Sequence, residues 1–212
     1  MNLIDEIISK IKKSRNAVEL IINPNPTDEI LNLIGITENS TLGTLLKYTN
    51  GILVKNKILR LFGSGSSDWT DSIKDWNNFP NKIVFDDIPS GCLLIGYDLY
   101  GGFFAINGGF FGKDLGNVFY FAPDSMQWEN LNIGHSQFIE WCINGEVGKF
   151  YASFANDDLE DLVNKTKMGQ CISFYPFLWS NEGKDISRTT KRVVPLREIW
   201  GYNMETSEKL NV

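Results

Sequence analysis

The chain has 212 residues, of which 42% are hydrophobic and 13% aromatic, so it can bury a sizeable core without disulfides or metal ions. A net charge of −6 and a pI near 4.9 disfavour nucleic acid as the main partner, because phosphate binding requires clustered Lys and Arg. No secretory signal is predicted, and no apolar run approaches the ~20 residues that span a bilayer.

Three cysteines, Cys92, Cys142 and Cys171, lie far apart within apolar segments. An odd number of cysteines in such surroundings predicts buried free thiols instead of a disulfide framework. We therefore expect a cytoplasmic protein with no membrane-associated segment.

The first sixty residues are predicted to hold helices and a strand. Apolar residues at helical spacing, together with capping residues, predict helices at 2–13, 27–35 and 41–50 and a strand at 58–62. A glycine-serine loop follows, and Asp68 is predicted to cap a helix that ends at Asn77. Trp69 and Trp76 lie seven residues apart and would share one side of that helix.

The middle of the chain is rich in glycine and aromatic residues, which predicts a compact antiparallel meander. The predicted strands are 91–97, 102–106, 117–121 and 127–131, with a glycine-rich loop at 107–116. Asp98, Asp114 and Asp124 fall at strand ends or turns, where aspartate side chains bond the local backbone.

The last third is predicted to be mainly helical, with helices at 137–143, 147–154 and 156–168, an aromatic strand at 171–179 and a closing segment at 193–200. The polar tail 201–212 is predicted to be flexible. Strands grouped between helices predict an α+β fold with a mostly antiparallel central sheet of about five or six strands and helices packed against it. Residues 1–200 are predicted to form one domain.

No catalytic residue, cofactor or metal site is predicted. His135 is the only histidine, so a two-histidine zinc site cannot form within the chain, and it lies where a helix begins. The loop Gly63-Ser64-Gly65 lacks the lysine of a phosphate-binding loop. Residues 184–198 carry five basic and two acidic side chains, a local net charge of +3, which we interpret as a solvated loop or as a contact for an anion or an acidic partner.

Several blocks resemble a bacterial family of unknown function, domain of unknown function family 2625. The resemblance runs from about residue 17 to 200. The blocks are Gly51-Ile52-Leu53-Val54 with Leu59-Arg60-Leu61-Phe62-Gly63, Gly101-Gly102-Phe103-Phe104-Ala105-Ile106-Asn107-Gly108-Gly109 with Gly116-Asn117-Val118-Phe119-Tyr120-Phe121-Ala122-Pro123-Asp124, Phe174-Tyr175-Pro176-Phe177-Leu178-Trp179, and Val194-Pro195-Leu196-Arg197-Glu198-Ile199-Trp200.

The family resemblance implies no established activity, and the chain departs from the family pattern at His135, where an aromatic residue is usual. The order helix, Asn50-Gly51, strand is also similar to the SUKH superfamily, whose bacterial members include immunity proteins that neutralise toxins. That similarity implies a protein-binding function.

The leading functional hypothesis is therefore a non-enzymatic protein-binding module of the immunity type. The acidic balance favours a basic protein partner such as a toxin. The predicted contact face combines an aromatic side chain with three carboxylates, at Asp68, Trp69, Asp71 and Asp75.

The alternative is a small-molecule or carbohydrate-binding protein, hydrolases included. Its site would lie under the glycine-rich loops, with polar groups from Asp98, Asn107, Asp114 and Asp124. The identity of the partner or ligand and the oligomeric state stay open.

Overall fold

The computed structural model describes residues 2–77, 89–154 and 159–210. Seven strands form one antiparallel sheet: β1 (Val18–Ile22), β2 (Thr49–Val54), β3 (Leu59–Phe62), β4 (Cys92–Asp98), β5 (Phe103–Asn107), β6 (Asn117–Ala122) and β7 (Gln127–Gly134). Each strand pairs with the next along the chain. β8 (Gln170–Tyr175) and β9 (Thr190–Pro195) form a separate antiparallel hairpin. The predicted α+β class is confirmed, with a somewhat larger sheet than expected.

The described helices lie before, between and after the strands of the sheet: α1 (Leu3–Ile11), α2 (Glu29–Ile34), α3 (Thr41–Tyr48), α4 (Ile73–Trp76), α5 (His135–Asn144), α6 (Val147–Phe150), α7 (Leu159–Lys165) and α8 (Leu196–Leu210). Side-chain caps begin three of the described helices, because Asn2 accepts from the Asp5 amide, Ser40 from the Gly43 amide and Ser72 from the Asp75 amide. Within the described ranges no helix combines the length and hydropathy needed to cross a bilayer.

Side chains alternate between the two faces of the sheet, as the two-residue period of a strand requires. On one face, apolar side chains of α1, α3 and α5 meet those of β2 and β3. Ile7, Leu45 and Ile139 line a shared apolar space with Ile52 and Leu61. These residues are all buried, so the three helices form a layer on this face.

The opposite face is built from large aromatic rings. Phe103 of β5 lies 4.7 Å from Trp200 of α8 and 5.7 Å from Trp76 of α4, measured between ring centroids. Trp76 in turn stacks on Phe62 of β3 at 5.6 Å. The sheet is therefore enclosed between a helical layer and a second layer made of α4, α8 and the β8–β9 hairpin.

The region from 63 to 77 differs from its prediction. Ser66 and Trp69 exchange main-chain hydrogen bonds of 2.8 and 3.1 Å and form a tight turn in place of helix. Helix α4 begins only after Ser72, whose hydroxyl accepts from the Asp75 amide at 3.0 Å. The predicted Asp68 cap was wrong because the turn intervenes, and Trp69 lies outside the helix.

The C-terminal segments also differ from their predictions. The predicted strand 171–179 ends at Tyr175, before a cis peptide bond to Pro176. The segment from residue 201, predicted to be a flexible tail, is helical as far as Leu210. The Asn203 amide within it is buried and donates to the Gly101 carbonyl at 3.1 Å. Part of the predicted helix 156–168 lies outside the described residues.

Candidate functional site

The four residues predicted to contact a partner are divided between surface and interior. Asp68 and Asp75 are exposed, whereas Trp69 and Asp71 are buried. The Trp69 indole lies so close to Gly51 of β2 that a Cβ there would meet its Nε1 at 2.2 Å. The structure therefore does not bring the four side chains together on one exposed face.

Asp71 holds loop segments together inside the protein. Its carboxylate accepts hydrogen bonds from the Tyr97 hydroxyl at 2.5 Å, the Gly169 amide at 2.8 Å and the Trp76 indole at 3.4 Å. Burial, and after it the charge of Asp71, raises the pKa of Tyr97. This hydroxyl consequently remains protonated, and it is the donor in its hydrogen bond with the carboxylate.

Arg60 of β3 is buried beside this cluster. Its guanidinium donates to the carbonyl oxygens of Thr166 at 2.8 Å and Lys167 at 2.6 Å and to the Tyr97 hydroxyl at 3.3 Å. Only 2% of the residue is exposed. Because it touches main-chain carbonyls across the molecule, Arg60 fastens the segment before β8 to the central sheet.

The alternative ligand-binding set contains two residues that support turns. Asp98 is fully buried and accepts from the amides of Tyr100 and Gly102 at 2.9 Å each and from the Tyr120 hydroxyl at 2.8 Å. Burial raises the pKa of this carboxyl, and the two amides and the hydroxyl oppose the shift. Its hydrogen bonds hold the β4–β5 turn in shape.

Asn107 has the same kind of role in the glycine-rich loop, where its side-chain oxygen accepts from the amides of Gly109 and Phe111 at 2.8 and 3.1 Å. Asp114 and Asp124 are exposed. Asp98 and Asp124 lie near one end of the β4–β6 strands, while Asn107 and Asp114 lie near the other. A five-residue strand is roughly 16 Å long, so the four groups do not meet around one cleft.

Burial shifts the pKa values of the single histidine and of the three cysteines. Burial lowers the pKa of His135 to about 4 and raises the pKa of Cys92 to about 12. Cys142 and Cys171 are buried free thiols, and burial raises their pKa values too. Among the described residues no group of three or more His, Cys, Asp or Glu side chains is arranged to hold a metal ion.

An open groove lies on the β8–β9 hairpin. It has a volume of about 410 Å³, and we call it the hairpin groove. In the strand register Ser173 lies opposite Arg192 and Tyr175 opposite Thr190, so these side chains share a face. The groove is lined by Ser173, Tyr175, Phe177, Thr190, Arg192 and Val194.

Aromatic packing fixes the floor of the hairpin groove. Phe177 stacks on Tyr202 of α8 at 4.7 Å and on Trp179 at 5.8 Å, and it meets Tyr175 edge-on at 5.9 Å. Tyr175 nevertheless leaves 68% of its surface exposed. The groove therefore joins a supported aromatic floor to a ring that is open to solvent.

Sequence reasoning missed this groove, although two signals were present. The basic segment 184–198 marks a positive region in an acidic protein. The alternation of Ser173 and Tyr175 with buried Ile172 and Phe174 is the pattern of a strand with one open face. Neither signal identifies the strand that pairs with β8. The position of Arg192 opposite Ser173 could therefore not be predicted.

Residues 2–199 match the model of a family described as protein of unknown function DUF2625. The chain belongs to this family. The predicted resemblance is thereby confirmed. The match includes strands β1 to β9 and all six residues that line the hairpin groove, so the groove lies within the family domain.

Two relatives are similar along nearly their whole lengths. The uncharacterized protein YbfG of Escherichia coli (strain K12) is 32% identical over 201 residues, which cover 93% of this chain and 88% of the relative. An uncharacterized protein of Haemophilus influenzae (strain ATCC 51907 / DSM 11121 / KW20 / Rd) is 29% identical over 202 residues, covering 95% and 85%. No solved structure matches the chain.

Proposed function

We propose that this family member is a non-enzymatic protein-binding module whose contact surface is the hairpin groove. The observation that supports the proposal is the convergence of Tyr175, Phe177 and Arg192 at one open groove. Aromatic residues and arginine are enriched at the centres of protein interfaces, where burying a large ring and pairing a charge contribute most of the binding energy.

The packing beneath the groove favours binding. Phe177 is already held between Trp179 and Tyr202, so it loses little conformational freedom when a partner covers it. Tyr175 has exposed ring surface to bury and a hydroxyl that can remain at the rim.

The immunity type remains part of the proposal on the strength of the SUKH similarity. The net charge of −6 would steer a basic partner such as a toxin toward the protein in the cytoplasm. The long-range charge attracts the partner as it approaches, whereas the side chains of the groove make the direct contacts in the complex. Because Trp69 and Asp71 are buried, the proposed contact surface moves from 68–75 to the hairpin.

Affinity capture with the tagged protein in lysate of its native host tests the proposal. We expect a defined set of proteins to be retained by the wild type and by Phe110→Ala, which removes an exposed ring elsewhere, and to be lost with Tyr175→Ala. Retention of the same proteins by Tyr175→Ala, or of none by the wild type, would contradict the proposal. The immunity type predicts further that a captured protein stops growth when produced alone and not when co-produced with this chain.

A second candidate, small-molecule or carbohydrate binding, is favoured by the size of the same groove. Its volume of about 410 Å³ falls within the ~300–1,000 Å³ typical of ligand sites. A sugar ring would stack on Tyr175, in place of a site at Asp98, Asn107, Asp114 and Asp124. Thermal-shift measurements with sugars, nucleotides and metal ions test it, since a bound ligand raises the Tm of the wild type and not that of Tyr175→Ala.

A further inference from the structure

The outer edge of β9 carries no further strand among the described residues, and helix α7 lies near part of β9. Strand β9 is hydrogen-bonded to β8 on one side, and among the described residues no other strand pairs with it. The main-chain bond from Leu196 to Gly169 lies just beyond its end. An edge strand presents a row of N–H and C=O groups that an extended chain can satisfy.

The positive charge along this edge favours the binding of acidic chains. Arg192 is exposed, and within the part of the chain that the structure describes it forms no salt bridge. Lys191 precedes it on the opposite face of the strand, and the surrounding segment 184–198 carries a net charge of +3. Basic residues on an edge repel a basic strand and attract an acidic one.

We propose that the hairpin groove receives an extended acidic segment of the partner, which pairs with β9 as a third strand and places a carboxylate against Arg192. This inference rests on the proposed function of the groove. Alternate residues of a strand face one side and lie ~6.6 Å apart. A segment with an acidic residue opposite Arg192 therefore places the residues two positions away beside Thr190 and Val194, which also line the groove and where apolar side chains fit. The favoured pattern is apolar–any–acidic–any–apolar.

Amide chemical shifts of the full-length, isotope-labelled protein test the inference with synthetic peptides. The probe is a short peptide of alternating glutamate and valine, used up to about 1 mM so that weak binding is detected. Its counterparts are a lysine–valine peptide and a glutamate–valine peptide with N-methylated main-chain amides, which cannot donate to a strand. We expect shifts at Thr190–Val194 with the first peptide and not with the other two.

Arg192→Glu should weaken binding of the glutamate–valine peptide at least ~10-fold, while Lys113→Glu, the same charge change on the exposed glycine-rich loop, should leave it unchanged. The inference would be overturned if the glutamate–valine peptide caused no shifts in β9 or if either control peptide bound equally well. It would also be overturned if Arg192→Glu had no effect. Shifts in β9 caused by raising the protein concentration alone would assign the edge to a second copy and also overturn it.

The two proposals can fail separately. If the captured proteins depend on Tyr175 and not on Arg192, and the peptide does not shift β9, the groove binds a partner in another way. If capture is independent of Tyr175, the proposed function itself fails, whatever the peptide does.

Discussion

Arg60 shows at the scale of one residue how a buried charge can be structural. Its guanidinium has main-chain carbonyl partners at Thr166 and Lys167 and a hydroxyl partner at Tyr97. Tyr97 connects it to Asp71, so a cation and an anion are linked through a shared hydroxyl. The cluster joins three distant segments by directed hydrogen bonds, which is a role in stability.

Replacing Arg60 by methionine should lower the free energy of unfolding by about 3 kcal/mol. The side chain fills similar space, but two carbonyls and the Tyr97 hydroxyl lose their buried donors. Arg15→Met is the matched control, because its ion pair with Glu146 is exposed and should contribute less than ~1 kcal/mol. Urea denaturation measures both, and equal costs would contradict the assignment.

His135 should make stability depend on pH in the acid range. Burial lowers its pKa from 6.5 to about 4, so between these values the unfolded chain binds the proton and the folded protein does not. The free energy of unfolding therefore falls as pH drops from about 6.5 to 4, by up to about 3 kcal/mol.

His135→Phe should remove this component of the pH dependence. Asp98 is present in both proteins, so its own titration cancels when the two unfolding curves are compared at each pH. His135 is partly exposed, and the burial of its Nδ1 atom carries this prediction. Identical pH dependence of wild type and variant would contradict it.

Residue roles were predictable where they depend on nearby backbone. Asp98 was expected at a turn, and its side chain bonds amides two and four residues ahead. Asn107 likewise bonds amides two and four residues ahead. Arg60 was not identified, because its carbonyl partners are more than a hundred residues away in sequence and only the tertiary fold brings them close.

At the scale of elements, periodicity predicted helices and strands wherever one face is buried along the whole element. α1, α3 and the strands β4 to β7 were predicted within a few residues of their observed bounds. The segment 63–77 was not, because Trp69 packs on Gly51 and a short turn satisfies its backbone instead of a helix. The C-terminal helix was not predicted, because its residues are mostly polar and their pattern does not indicate that Trp200 and Asn203 are buried.

Replacing glycine by alanine should have opposite effects at Gly201 of α8 and at Gly51 of β2. A Cβ at Gly201 meets no atom within 4 Å, so Gly201→Ala should raise the free energy of unfolding by about 0.5–1 kcal/mol through helix propensity. Gly51→Ala should lower it, since the new methyl group would overlap the Trp69 indole. Urea denaturation compares them, and no effect at Gly201 would indicate that residue 201 is in a flexible tail.

At the scale of the whole molecule, one sheet supports both layers. Phe103 contacts Trp200 on α8, and Tyr97 connects through Asp71 to Gly169, just before β8. The C-terminal hairpin and helix are therefore tied to the central sheet by aromatic packing as well as by hydrogen bonds. These ties support the prediction of a single domain over residues 1–200.

Unfolding should accordingly be one cooperative transition. Far-UV circular dichroism and tryptophan fluorescence should give the same midpoint in urea. Trp200→Ala should shift both midpoints down together, at a cost of about 3–5 kcal/mol, because the ring is fully buried. Two separated midpoints, or a shift of only one signal, would show that the C-terminal region unfolds independently.

Because strand order in the large sheet follows chain order, the sheet can be assembled one hairpin at a time as the chain leaves the ribosome. Each new strand finds its neighbour already in place, which keeps the loops that must close short. The packing on Phe103, however, is completed only when Trp200 of α8 has been synthesised. A nascent chain halted before α8 would lack this cover on the Phe103 ring, which molecular chaperones could then bind.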